Sequence, residues 1–377
     1  MHETVEFPII AYEHSFAMER TSFTTCKIKN IIRETGESVS IIFEIPEEKR
    51  ALFQYQAGQY LTLRKDINGE DIRRSYSLST SPHTGVWRIG VKQVPEGKFS
   101  TYLNQHAVVG DEIEVMPPTG NFLLKEDNEK STYVFFAAGS GITPILSMIS
   151  QLLEKSENEV ILFYGNKSVD KVMYRGEIEN LKNKYMQRFT IHYVFSQEKL
   201  GSPLFLGRIN GSKCKEYHKF LIDQKEVAQY LLCGPAPMIF SVEESLLERG
   251  IPKDNISYEL FTTTDIPKKD LSDSDDKTIQ QLKGNALSKI KIDGLITEIT
   301  IPYTGKSILE MAMDSGLDVP FSCKGGVCCT CKAKLIKGSV NMEVNYALED
   351  EEVEAGFILT CQSHPQTPEI FVDYDQV

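Results

Sequence analysis

Four cysteines near the end of this 377-residue chain carry its plainest chemistry, in the spacing Cys323-x4-Cys328-x2-Cys331-x29-Cys361. Of eight cysteines in all, five fall in the last 55 residues and four within nine consecutive positions. Thiols clustered in this way hold metal more often than they form disulfides when the setting is reducing. A binuclear [2Fe–2S] cluster needs four thiolates from one fold, and one loop can supply three while a remote segment supplies the fourth. Zinc is the alternative, although its sites usually pair two short Cys-x2-Cys units. Gly325 and Gly326 suit the loop, because glycine reaches backbone conformations that turn amide N–H groups toward sulfur. Cys329 lies between two ligands and is read as a non-ligand.

A second group of residues could hold a dinucleotide. The apolar run 133–138 leads into Gly139-Ser140-Gly141-Ile142-Thr143-Pro144 and then a helical pattern over 145–153. Two glycines let a phosphate approach the backbone, Thr143 can cap the helix, and Pro144 suits its first turn. Free N–H groups and the positive end of the helix dipole would then meet the pyrophosphate. The turn is not a G-x-G-x-x-G fingerprint, and taken alone it is an ordinary strand–helix connection as readily as a binding loop. A comparable turn, Cys233-Gly234-Pro235, follows the apolar residues 230–232 and opens another helix, which places a thiol at the carboxyl edge of a sheet, where ligands bind in open α/β folds.

A third group would suit a flavin. Arg74-Ser75-Tyr76-Ser77 closes one strand, and Gly97-Lys98-Phe99-Ser100 opens a helix after a turn. An arginine can pair with a diphosphate, a tyrosine can stack on the ring, and a helix start bearing a serine can hold phosphate.

The Arg-x-Tyr-Ser tetrapeptide at 74–77, the Pro118-x-Gly120-x-Phe122 turn, the Gly139–Pro144 and Cys233–Pro235 pair and the closing Glu259-x-Phe261 resemble the ferredoxin–NADP reductase superfamily. The cysteine loop resembles the plant-type ferredoxins. The resemblance covers residues 23–261 and 286–377. It implies that Tyr76, Cys233, Glu259 and Phe261 act at the flavin and nicotinamide, and that Cys323, Cys328, Cys331 and Cys361 hold the cluster. The domain order resembles the reductase components of multicomponent oxygenases, among them those of phenylacetyl-CoA epoxidases and of steroid- and aromatic-hydroxylating systems. An electron relay follows, from NAD(P)H to FAD to [2Fe–2S] to an oxygenase or epoxidase complex. A stand-alone NAD(P)H oxidase or a redox sensor would use the same parts. FAD is expected over FMN, because the loop reads Gly97-Lys98-Phe99-Ser100 where FMN-binding relatives carry Gly-Gly-Ser. Glu198, in Ser196-Gln197-Glu198, would repel a 2′-phosphate, whereas Lys167, Arg175, Lys199 and Arg208 could pair with one; the cations tip the expectation to NADPH over NADH.

These residues need three kinds of scaffold. Short apolar runs divided by Gly36, Gly58, Gly69, Pro82 and Gly85 predict an antiparallel β-barrel over 23–125. Apolar strands alternating with helical patterns predict an α/β domain with a parallel sheet over 126–261. Residues 262–285 lose apolar periodicity and read as a linker. Residues 286–377 read as an α+β, β-grasp-like domain, and residues 1–22 as an unassigned extension.

The composition of 41% hydrophobic and 25% charged residues excludes a wholly disordered chain. A net charge of −12 argues against nucleic acid as a partner. The first residues lack a basic segment followed by an apolar one, and the most apolar stretch, 134–149, is short and broken by Gly139, Gly141 and Pro144. A cytoplasmic protein without membrane contact is therefore expected. Residues 286–377 hold fourteen Asp and Glu against seven Lys, with five acids between Glu349 and Glu354. That run reads either as a solvated helix face or as an acidic docking surface.

Overall fold

Six strands, β1 (Thr24–Thr35), β2 (Ser38–Glu44), β3 (Tyr60–Ile67), β4 (Glu70–Ser77), β5 (Trp87–Lys92) and β6 (Glu112–Val115), form one sheet in the order β4-β3-β6-β1-β2-β5. The computed structural model describes residues 22–125, 130–199, 201–261 and 284–376. Neighbouring strands run antiparallel, and an antiparallel bridge between Leu78 and Ile89 joins the two ends of the sheet into a barrel. Alternating residues such as Ile41, Phe43, Leu61, Leu63, Ile89 and Val91 fill its interior. Helix α1 (Lys98–Gln105) adds Phe99 and Leu103 to the same core.

Five strands follow, β7 (Thr132–Ala138), β8 (Glu159–Asn166), β9 (Phe189–Phe195), β10 (Val227–Cys233) and β11 (Ile256–Glu259), all parallel in the order β11-β10-β7-β8-β9. Helices α2 (Ile142–Lys155), α3 (Arg175–Lys184), α4 (Gly211–Tyr217) and α5 (Ala236–Glu248) connect them. β7 is buried along nearly its whole length, as a strand covered on both faces must be. The strand order reverses at β7, which has β8 on one side and β10 on the other. A crevice therefore opens beyond the carboxyl ends of β7 and β10. The helix predicted over 145–153 begins earlier, at Ile142, and ends later, at Lys155.

The described residues fall into two compact units, and the barrel and the parallel sheet, which together span residues 25–261, share one of them. In the other, β12 (Asn285–Ile292), β13 (Leu295–Pro302), β14 (Lys332–Lys337), β16 (Phe357–Leu359) and β18 (Glu369–Asp373) form a mixed sheet in the order β13-β12-β18-β14-β16, beside a small pair of β15 (Val340–Met342) and β17 (Ser363–Pro365). β12 and β18 are parallel and the other pairings antiparallel. Helix α6 (Ile308–Asp314) starts at a capping box formed by Ser307 and Glu310 and packs Ile308, Leu309 and Ala312 against Ile290, Ile301 and Val372. A short helix α7 (Asp350–Glu354) precedes β16. Residues 1–21 and most of the expected linker lie outside the described residues. Asn285, expected to end that linker, is instead the first residue of β12. Among the described residues no helix is long and apolar enough to cross a membrane.

Candidate active site and metal centre

The turn after β7 and the turn after β10 meet in the crevice. Gly139 adopts φ +56°, and Gly139–Gly141 makes one tight turn that runs directly into α2. A Cβ on Gly141 would lie 2.1 Å from the carbonyl oxygen of Cys233, so only glycine lets the two loops touch. No side chain caps α2, and its first amide, that of Ile142, already donates to the carbonyls of Gly139 and Ser140, so the Gly139–Gly141 turn that precedes the helix is the part placed to meet a ligand. Here the structure corrects the role expected of Thr143. Its hydroxyl donates back to the carbonyl of Ser140 at 2.9 Å instead of accepting from the helix, because α2 has already begun at Ile142. Pro144 lies buried in the first turn of the helix, where it is expected. Tyr164 on β8 steadies the loop by donating to the Gly139 carbonyl at 3.1 Å. Gly234 and Pro235 lead from β10 into α5, with Pro235 as its N-cap residue.

Three of the expected residues converge beside this crevice. Cys233 ends β10 and pairs in register with Glu259, the last residue of β11. The Ser77 hydroxyl, at the end of β4 in the barrel, donates to Glu259 Oε2 at 3.1 Å although 182 positions separate them. Burial pushes the Glu259 carboxyl up to about 8, against a smaller downward pull from Ser77. Burial, with Glu259 beside it, also raises the Cys233 thiol well above its ordinary value. The site thus presents a neutral carboxyl and a neutral thiol near pH 7.

The barrel wall is less uniform. Arg73 is buried and tied to Asp71 at 2.8 Å, so the exposed guanidinium of this strand is that of Arg74. Ser75 Oγ lies 3.0 Å from Thr62 Oγ1. The half-buried Tyr76 ring sits 6.2 Å from that of Phe99. Gly97 is the N-cap of α1. The Lys98 ammonium meets Glu70 at 2.6 Å, Phe99 is buried in the barrel core, and the Ser100 hydroxyl accepts from the Val94 amide at 3.2 Å. Phe99 and Ser100 face inward, so what this helix start offers an anion is backbone. Phe261, just past β11, is 38% exposed.

The cluster loop is built from backbone. Lys324 and Gly326 take φ of +53° and +75°, and the Gly325 amide donates to Cys323 Sγ at 3.4 Å. Cys323 and Cys328 lie with sulfurs 3.1 Å apart, and the Cys331 and Cys361 thiols are hydrogen-bonded to each other. The Cys328 thiol first, then the amides of Gly325, Val327 and Cys328, hold Cys323 below the usual thiol range. The Cys331 thiol, the Gly326 amide and Gln362 do the same for Cys361. Two thiol pairs in an amide-lined loop fit a binuclear cluster better than a tetrahedral zinc. Cys329 turns away and donates to the Ala347 carbonyl at 3.1 Å, as expected of a non-ligand.

Some contributors carry no sequence signal. Tyr164 supports the Gly139 loop from the neighbouring strand. The half-buried Lys92 of β5 reaches that loop too, with Nζ 3.9 Å from where a Gly139 Cβ would stand. Gln362 donates to the carbonyls of Lys324 and Cys361 and so ties the cluster loop to the remote ligand. Only pairing across strands brings these residues to their sites.

Three family models match the chain: an oxidoreductase FAD-binding domain over residues 25–123, an oxidoreductase NAD-binding domain over 135–244, and a 2Fe-2S iron-sulfur cluster binding domain over 290–366. One component of the 1,2-phenylacetyl-CoA epoxidase of Escherichia coli K12 is 36% identical over 94% of this chain and 98% of its own length. The ferredoxin reductase component of 3-ketosteroid-9-alpha-monooxygenase from Rhodococcus rhodochrous is 30% identical over 92% of this chain and 95% of its own. Phthalate dioxygenase reductase shares the fold with a TM-score of 0.57 and 24% identity, covering 93% of this chain and 98% of that one.

Proposed function

The chain belongs to the FAD-, NAD- and [2Fe–2S]-binding reductase components of oxygenases, and from that premise we propose that it delivers electrons from NADPH to a phenylacetyl-CoA epoxidase or a related ring-hydroxylating oxygenase. When bound, FAD takes up a hydride with its two electrons and releases them singly, and the cluster carries one electron at a time. The observation that carries the site assignment is the Ser77–Glu259 bond, which sets the flavin motif of the barrel beside the crevice of the parallel sheet. Gly139, Ser140 and Gly141, with the uncapped start of α2, would hold the nucleotide pyrophosphate. Arg74, Ser75, Tyr76 and the Gly97–Ser100 backbone would line the flavin, and the exposed ring of Phe261 would cover its face. Cys233 and Glu259 flank the place where nicotinamide and flavin must meet, and Glu259 holds a proton at its carboxyl at neutral pH. Cys323 with Cys328 would bind one iron and Cys331 with Cys361 the other, in line with their pairing.

The exposed Lys167, Lys199 and Arg208 support NADPH. Arg175 is engaged with Glu179 at 2.7 Å and Glu198 opposes a phosphate, so NADH is the reading that must be beaten. The partner assignment rests on likeness to the Escherichia coli epoxidase component. Eight cysteines without a disulfide support a cytoplasmic setting.

Anaerobic titration with NADPH and with NADH tests the relay. Bleaching of the flavin followed by bleaching of the cluster is expected, and a flavin that stays oxidised with both nucleotides overturns it. Adding the remaining oxygenase components and phenylacetyl-CoA then tests the partner, with NADPH consumption stoichiometric with epoxide as the expected result. Consumption matched instead by hydrogen peroxide marks an oxidase.

A further inference from the structure

Tyr174 is, with Asn68 and Glu96, one of three non-glycine residues of positive φ among the described residues of the flavin–nucleotide unit, and it is the bulkiest of them. It sits at the N-cap of α3 with φ +57°, a left-handed conformation that a bulky side chain rarely adopts, in a position that usually selects Ser, Thr, Asp or Asn. Nothing local favours this choice, and such strain persists only where surrounding contacts impose it.

Those contacts come from the barrel, across the boundary between the two sheets. Tyr174 Oη lies 3.0 Å from Ser40 Oγ on β2 and donates to Ser79 Oγ at 3.2 Å. The Glu34 carboxylate on β1 accepts from the Tyr174 amide at 3.2 Å and from the Ser40 hydroxyl at 2.7 Å. The Arg88 guanidinium of β5 lies 4.8 Å from the centre of the Tyr174 ring and forks onto Glu177 of α3 at 2.9 and 3.0 Å. Gly90 on β5 provides the socket. A Cβ there would stand 2.3 Å from Tyr174 Oη and 2.6 Å from Cγ2 of Thr143, two residues beyond the Gly139–Gly141 turn.

One glycine of the barrel thus receives both the Tyr174 hydroxyl and the first turn of the nucleotide-binding helix. Two sheets within a chain move relative to one another unless their interface prevents it. Hydride transfer requires the donor and acceptor atoms at about 3–3.5 Å, and about 1 Å of misplacement can lower its rate ~100-fold. We propose that Tyr174, seated against Gly90, is a positioning residue that sets the nicotinamide-binding turn against the flavin-binding wall and so fixes the distance for hydride transfer. This rests on the assignment of the two sites made above. The hydride and its two electrons leave the reduced nicotinamide and arrive together on the flavin, so any widening of the gap acts on that step alone.

The test compares Tyr174→Phe, Ser40→Ala and Gly90→Ala with the parent, all as full-length protein loaded with FAD and cluster. Stopped-flow mixing with NADPH and with NADH under anaerobic conditions follows the nicotinamide–flavin charge-transfer absorbance and the rate of flavin bleaching. The expected result is a 10- to 100-fold slower hydride step and a weaker charge-transfer band in Gly90→Ala and Tyr174→Phe, with a smaller change in Ser40→Ala. Nucleotide dissociation constants and the cluster spectrum should stay within about twofold of the parent. Variants that melt at lower temperature but keep the parent's hydride rate and band overturn the proposal and reduce Tyr174 to a structural peg. If Tyr174→Phe does not fold, Ser40→Ala and Gly90→Ala decide by the same readouts. A parent flavin that neither nucleotide reduces defeats the site assignment itself, an outcome separate from any difference among variants.

Discussion

The flavin–nucleotide unit and the iron–sulfur unit solve one problem, holding a redox group, in opposite ways. The cluster loop draws three of the four proposed ligands from nine residues and presents backbone amides to the sulfurs, so most of its site is local in sequence. The proposed hydride site has no local kernel. Ser77, Cys233 and Glu259 come from β4, β10 and β11, and what brings them together is a barrel and a parallel sheet packed through Tyr174 and Arg88. The difference follows from the electrons carried. A cluster exchanges one electron and needs only to be held. A hydride needs two rings, bound by separate scaffolds, in van der Waals contact.

The widest separation between the two regions should come from removing a cluster ligand. In Cys361→Ala the iron–sulfur absorption and EPR signal are lost, and one-electron delivery to an oxygenase or to cytochrome c falls at least ~100-fold. NADPH-driven ferricyanide reduction through the flavin stays within about twofold. Equal loss of both activities would show that the two regions are not independent.

Next in size is Glu259→Gln. A hydride leaves the flavin ring with an added negative charge, and Glu259, neutral beside it, would give up its proton to balance that charge and become a carboxylate; positioned proton transfer contributes roughly 10²–10⁴-fold to a rate, so flavin reduction in the variant should slow about 100-fold. In the parent the rate should fall as pH rises through about 8, where Glu259 loses its proton, and that inflection should vanish in the variant. Stability should follow a related course. Between about 4.5 and 8 the folded chain keeps a proton that the unfolded chain releases, so the contribution of this group falls as pH rises across that window. Glu259→Gln should flatten the fall, as read from urea midpoints at several pH values.

Two glycines provide a matched pair. Gly141→Ala drives a methyl against the Cys233 carbonyl, and Gly326→Ala places one 2.8 Å from the Val344 carbonyl in a residue with φ +75°. Each should cost about 1–3 kcal/mol, read as a urea midpoint shift. Their functional effects should not overlap. The first weakens NADPH binding about tenfold with normal iron content, and the second lowers iron content with normal NADPH affinity.

The same contrast explains what the sequence makes legible. The cluster spacing stands in sequence as it stands in space, because one loop contains it. The paired turns after β7 and β10 are legible too, since each is a strand–turn–helix with its own glycine. What misleads is detail set by neighbours. Thr143 reads as a cap until α2 begins three residues early, and Ser100 reads as a phosphate ligand until its hydroxyl is found bound to the Val94 amide. Tyr174 and Ser40 are 134 positions apart, and no local pattern marks a tyrosine for a left-handed N-cap. Gln362 stands next to a ligand, yet its bond to Lys324 exists only because β16 brings the remote cysteine back to the loop.

The smallest expected effect concerns how the iron–sulfur unit meets its partner. The acids at 349–354 are not one uniform face. Glu352 is held by Lys332 at 3.1 Å and, with Glu349, forms a capping box at the start of α7. Glu351 and Glu354 are exposed, and α7 leads directly into the strand that precedes Cys361. Exposed like charges steer encounter with an oppositely charged partner and act mainly on the association rate, weakening as salt shortens the Debye length from about 30 Å at 0.01 M to about 8 Å at 0.15 M. Glu351→Lys with Glu354→Lys should therefore lower electron delivery to a basic partner about three- to tenfold at low ionic strength. The loss should shrink toward nothing as salt rises, while flavin reduction by NADPH stays unchanged at every salt concentration. A partner rate in the parent that ignores salt would return this helix to an ordinary solvated face, and would leave the iron–sulfur unit distinguished by its local loop alone.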